Sequence, residues 1–141
     1  MRFMIMVRAN AQSEAGGAPD PRVMLQMAEY HEALSRAGVL LDAAGLKPSS
    51  AGWRVEHGPQ GARLLDGPFT ESKELIAGYT LIQVRSREEA LEWSRRFPAP
   101  FGEGQAGCIE VRPLYDLDDF AELEGIQRFK ALEAERQGGQ A

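Results

Sequence analysis

Asp66 is the first residue to weigh for chemistry, because it closes a run of β-type residues and opens the turn Asp66-Gly67-Pro68-Phe69. A carboxylate on a loop at a strand end could act as a general base if an apolar cleft raised its pKa. The same four residues also suit an Asx turn. There Asp66 would accept a backbone N–H, Gly67 supply an unusual φ, Pro68 stiffen the exit and Phe69 anchor the turn in the core. Glu71, Lys73 and Glu74 come next. They could line a mouth for a polar substrate with Lys73 as an electrostatic clamp, or simply be solvated. His31 lies one position off the stripe Val23, Met27, Tyr30 and Leu34, where it could shuttle a proton or merely pack. Asp66 and His31 are therefore the candidate catalytic residues.

Candidate ligand-binding residues are Arg8, Lys73, Tyr79 and Arg112. Tyr79 could donate its hydroxyl into a cleft or serve as core. Glu110 and Arg112 share one face of a strand, since side chains alternate with period two. Arg112 could pair with a carboxylate across a subunit interface or hold an anionic ligand. Arg8 and Arg54 could also reach a cleft. The single cysteine, Cys108, reads as a small apolar strand residue. It permits no intrachain disulfide, and the two histidines, His31 and His57, form no short metal-ligand motif. None of the 15 glycines falls into G-x-G-x-x-G or a P-loop, so no cofactor is expected.

Residues 2–8 read as a strand, with Phe3, Ile5 and Val7 on one side and Met4 and Met6 on the other. Apolar character on both faces predicts cover on both. A loop rich in Gly, Ala and Ser spans about 9–19. A helix is expected over 21–37, started by Asp20-Pro21 and stopped by Gly38. Val39 opens a second strand running toward Leu46. Residues 53–57 and 62–65 form a half-buried hairpin around Gly58-Pro59-Gln60-Gly61. Residues 76–84 make the most β-prone strand. Ser86 and Glu89 form a capping box for a second helix with Ala90, Trp93 and Phe97 as its buried stripe. A last strand covers 108–112. From Asp116 the chain turns partly helical, broken at Gly125, and frays over 137–141.

That order, β-α-β, hairpin, β-α-β, predicts an α+β, ferredoxin-like domain: an antiparallel sheet with both helices on one face. Residues 1–115 make the domain and 116–141 a helical tail. The other sheet face still needs cover, so a homodimer in a barrel-like α/β assembly is expected. With 141 residues, 43% hydrophobic and 26% charged, the chain has the balance of one globular domain. A net charge of −5 with scattered Lys and Arg argues against a nucleic-acid partner. No segment approaches the roughly 20 apolar residues of a membrane span. The short N-terminal apolar run, broken by Arg8, is no signal peptide, so a cytoplasmic protein is expected.

Asp66-Gly67-Pro68-Phe69-Thr70-Glu71-Ser72-Lys73-Glu74 resembles the DGPF signature and following E-x-K-E segment of the YCII-related (YciI-like) family, in its DGPF-domain group. Ala37-Gly38-Val39-Leu40, Gly45-Leu46, Pro48-Ser49, Gly78-Tyr79, 88–93 and 109–113 extend the likeness over residues 1–114. The resemblance implies a ferredoxin-like, usually dimeric fold and leaves most of the family without an assigned reaction. A few relatives are associated with dechlorination of an aromatic ring, and some accompany or are fused to extracytoplasmic-function sigma factors. One branch is discussed as having a His–Asp pair, with His on the first helix and Asp before a Pro after the second. Here His31 lies on the first helix, but Arg96-Phe97-Pro98 carries no Asp, so that dyad is broken and dehalogenation is not carried over. Two readings follow: a small-molecule enzyme using acid–base chemistry in a cleft near the DGPF turn, or a non-catalytic metabolite-binding or regulatory module.

Overall fold

A computed structural model describes residues 1–139. Strand β1 (Arg2–Arg8) is followed by a short helix α1 (Ala11–Ala15), helix α2 (Pro21–Arg36) and strand β2 (Leu40–Gly45). The hairpin β3 (Trp53–Gly58) and β4 (Gly61–Asp66) comes next, then β5 (Ile76–Gln83), α3 (Arg87–Arg95), β6 (Ile109–Pro113) and α4 (Glu124–Gly138). Four strands form one open antiparallel sheet in the order β2-β5-β1-β6, and β3–β4 form a separate two-stranded sheet. The fold is thus mixed helix and antiparallel sheet.

Register fixes the two faces. Phe3 pairs with Ile82 and Ile5 with Thr80, so these side chains share a face. Tyr30 and Leu34 of α2 and Ala90 and Trp93 of α3 join Phe3, Ile5 and Ile82 in one buried cluster. Both helices therefore lie on the same sheet face. Tyr30 sits at the centre. Its hydroxyl donates to the Trp93 carbonyl at 2.8 Å, and its ring meets Phe97 edge-on at 5.1 Å. The opposite face carries Met4 against Leu81 and Met6 against Tyr79, with Glu110 and Arg112 beside them. Helices do not cover both faces of β1.

Several local expectations need correction. The stretch expected as a loop over 9–19 contains α1, because Asn10 and Ser13 cap it reciprocally and Gly16 ends it at φ 77°. At α3, Ser86 accepts the Glu89 N–H, and the Glu89 carboxylate accepts from Arg85. The hairpin is not half-buried: Trp53, Val55 and Leu64 are 64%, 49% and 59% exposed. Alternation was read correctly there, but it does not say whether anything lies on the apolar side. Cys108 is exposed just before β6 rather than buried within a strand.

In the tail, the break falls at residues 121–123, between a 3-10 turn (Leu117–Phe120) and α4. Gly125 lies in the first turn of α4, where a residue's N–H has no helical partner to lose. Lys130 ties α4 to that turn through Asp118 at 2.7 Å, which holds the Asp118 carboxyl below its usual range. Of the expected frayed end, Gln137 and Gly138 are helical, and residues 140–141 lie outside the described ones. Among the described residues no helix is long and apolar enough to cross a membrane.

Candidate functional site

Where α2 crosses β2 and β5, the sheet offers Ala43-Ala44-Gly45 and Ala77-Gly78 in place of large side chains. Small residues opposite a helix leave space, and a cavity of about 420 Å³ results. Val23, Met24, Met27 and Ala28 wall one side, and Phe97, Pro100 and Phe101 close another. Val7 and Pro19 complete the lining, together with His31, Tyr79 and Thr80. No Asp, Glu, Lys or Arg lines it. The volume suits a molecule of one or two rings, in the range typical of small-molecule sites.

His31 and Thr80 supply its polar pair. His31 Nδ1 lies 2.7 Å from the Met27 carbonyl and Nε2 lies 2.8 Å from Thr80 Oγ1. A carbonyl only accepts, so Nδ1 carries a proton, and in neutral imidazole Nε2 accepts from the Thr80 hydroxyl. Thr80 is 2% exposed, and the lone pairs of its donating hydroxyl can accept a hydrogen bond from a bound molecule. The pair can therefore relay a proton: a ligand O–H or N–H to Thr80 Oγ1, and Thr80's own proton to Nε2.

Tyr79 contributes to the wall, but its side chain alternates to the other sheet face, where its hydroxyl donates to Asp42 at 2.8 Å. That hydrogen bond, and then the negative charge of Asp42, raise the Tyr79 pKa above its ordinary 10.0. Any stability from this pair is present below pH 10.0 and lost as pH rises through the higher folded value. Asp42→Asn is expected to bring Tyr79 ionisation back toward 10.0, read from the tyrosinate absorbance band. An unchanged titration curve would show that Asp42 does not control it.

The other expected site residues lie elsewhere. Arg8 is a brace: its Nε and Nη2 donate to the Lys73 carbonyl at 3.0 and 2.7 Å, and its Nη1 meets Glu110 at 3.3 Å. Lys73 thus joins Arg8 through its backbone. Arg112 is exposed opposite Met4, without an ion pair among the described residues. Asp66 is exposed and pairs across the hairpin with Trp53. Neither Asp66 nor any residue of 66–69 lines the His31 cavity.

The DGPF turn is keyed instead to the loop after β2. Gly67 N–H donates to the Gly52 carbonyl at 3.0 Å and Phe69 N–H to Ser49 Oγ at 3.0 Å, so Asp66 does not cap these groups. The Gly67–Pro68 peptide is cis, and Gly67 has no positive φ. Glycine is needed there for close approach, since a Cβ would lie 1.8 Å from the Ser49 carbonyl oxygen. Glu14 holds the other side of Ser49, accepting from its N–H at 2.9 Å and from its hydroxyl. Phe69 is half-buried with the Arg54 guanidinium 3.8 Å from its ring centre.

Sequence reasoning missed Thr80, Asp42, Glu14 and Ser49. Thr80 had a signal: it shares the phase of Ile82, so a hydroxyl was bound to face the core. Ser49 stood out only as part of the Pro48-Ser49 likeness, and nothing local linked it to Glu14, 35 residues away in the chain.

Comparison with known proteins agrees with the family resemblance of the DGPF segment. The model of the YCII-related domain matches residues 1–118. An uncharacterised protein of Rhizobium meliloti (strain 1021) is 35% identical over 95 residues, 67% of this chain and 75% of that protein. The chain belongs to the YCII-related domain family.

Proposed function

We propose that this protein binds a small, mainly apolar molecule in the cavity between α2 and the β2–β5 half of the sheet, with His31 and Thr80 as its acid–base pair. The observation that carries this reading is an uncharged cavity of about 420 Å³ whose wall includes the hydrogen-bonded His31 and Thr80. Asp66 stands outside it. The test is a methyl NMR titration with 2-phenylethanol, following Met24 and Met27 in the cavity wall against Met4 on the far sheet face. Met24 and Met27 are expected to shift while Met4 stays. Thr80→Val should weaken binding roughly tenfold, the worth of one buried hydrogen bond. Unmoved Met24 and Met27 signals would remove the reading.

The strand order β2-β5-β1-β6, with α2 and α3 as crossovers, supports a ferredoxin-like arrangement of residues 1–115, with β3–β4 as insert and 116–141 as tail. A homodimer belongs to the same reading, covering Met4, Tyr79 and Leu81. Asp42 lies on the edge strand β2 and Arg112 on the opposite edge β6, so a twofold axis against this face and parallel to the strands carries Arg112 of one chain toward Asp42 of the other. Sedimentation equilibrium should give twice the chain mass at micromolar concentration, and Leu81→Arg should give one. A monomeric native protein would exclude the pairing.

A second reading, a regulatory module for a protein partner, draws on exposed Trp53, Val55 and Leu64 of the hairpin and Phe129 and Leu132 of α4.

A further inference from the structure

Two contacts fix where a proton can come and go on His31. Nδ1 lies 2.7 Å from the Met27 carbonyl, which only accepts, so Nδ1 keeps its proton in the neutral and the charged ring alike. Titration therefore falls on Nε2, 2.8 Å from Thr80 Oγ1. No Asp, Glu, Lys or Arg lines the cavity around the ring. Tyr30 meets the ring edge-on with centroids 5.5 Å apart, but its hydroxyl is given to the Trp93 carbonyl and burial pushes its pKa up to about 12. Tyr79 turns its hydroxyl to Asp42 on the other sheet face.

The two states of the ring treat Thr80 oppositely. Neutral Nε2 accepts, so the Thr80 hydroxyl donates to it and shows only lone pairs to the cavity. Charged Nε2 donates to Oγ1, and the Thr80 proton is released from that bond. Thr80 is 2% exposed and lines the cavity, so the released proton is offered to a bound molecule rather than to bulk water. One proton added to His31 thus turns Thr80 from an acceptor into a donor.

We propose that His31 and Thr80 switch the choice of ligand with pH. Above the His31 titration the cavity prefers apolar molecules bearing an N–H or O–H donor, and below it apolar carbonyl compounds. This rests on the small-molecule reading above and adds the class of ligand.

The test uses the full chain and two probes of nearly one shape, indole, which only donates, and 1-indanone, which only accepts. Each is titrated by methyl NMR at several values from about pH 5 to about pH 8, the range over which histidine changes charge. The His31 ring protons are followed alongside, with His57 of the exposed hairpin as reference. At the upper end indole is expected to bind about tenfold tighter, the worth of one buried hydrogen bond, and at the lower end 1-indanone should lead. The crossover should coincide with the His31 ring titration. 2-Phenylethanol, which both donates and accepts, should bind with similar strength throughout and so report that the cavity survives in acid. His31→Gln should fix one order at every pH, and Thr80→Val should remove the preference altogether. His57→Gln should leave the reversal intact. The proposal is overturned if one probe stays the tighter binder across the range, if acid weakens both alike, or if the crossover ignores the His31 signals. In each of these cases the probes still bind, and only this inference falls. If neither probe nor 2-phenylethanol moves Met24 or Met27, the small-molecule reading falls with it.

Discussion

Gly67→Ala is expected to destabilise the protein by about 3 kcal/mol or more, the upper end of what forced overpacking costs. The added Cβ would sit 1.8 Å from the Ser49 carbonyl oxygen, 2.7 Å from the Ser49 carbonyl carbon and 3.3 Å from the Gly52 oxygen. All three are backbone atoms, so no side chain can swing aside. Relief requires the DGPF turn to lift off the Ser49 loop, which breaks the Gly67-to-Gly52 and Phe69-to-Ser49 hydrogen bonds together. Gly17→Ala is the control: nothing lies within 4 Å of its Cβ position and its φ is not positive. That change should be neutral or slightly stabilising, because alanine restricts the unfolded chain. Urea unfolding of both variants decides the matter. Equal midpoints would mean that the turn is not keyed to Ser49 as described.

Leu34→Ala should cost about 3 kcal/mol, since Leu34 is fully buried beneath α2 and neither the helix nor the sheet can collapse freely into the void. Against a typical stability of roughly 5–15 kcal/mol, that is a large share. Leu25 lies on the same helix at 60% exposure, and Leu25→Ala should change stability by no more than about 0.5 kcal/mol. The pair separates packing from helix propensity, which favours alanine equally at both positions. A loss at Leu34 below about 1 kcal/mol would place the core elsewhere.

Both predictions depend on tertiary contacts that differ sharply in how far the sequence announces them. Leu34 was legible: it closes the stripe Val23, Met27, Tyr30 and Leu34, and a stripe of that period must be buried against something. The role of Gly67 was legible only as a turn residue, because its nearest atoms belong to a loop 15–18 positions earlier in the chain. The same limit explains the site. His31, weighed for its place beside the apolar stripe, lines the cavity, whereas Asp66, weighed for its residue type and its strand end, does not. Arg8 was identified as a cation near a strand end, yet its guanidinium is consumed in bracing Lys73 and Glu110.

Local rules thus determined the elements. Alternation and 3.6-residue periodicity marked the strands and helices, capping residues marked their ends, and the DGPF segment marked the family. These signals are written in neighbouring residues and survive without knowledge of the partner. Tertiary structure alone decided where small residues on β2 and β5 would face α2 and open a cavity. It alone brought Thr80 to His31 across 49 positions, and left the apolar side of the hairpin uncovered. Such facts depend on which surfaces meet, and burial is a property of the pair of surfaces rather than of either sequence segment.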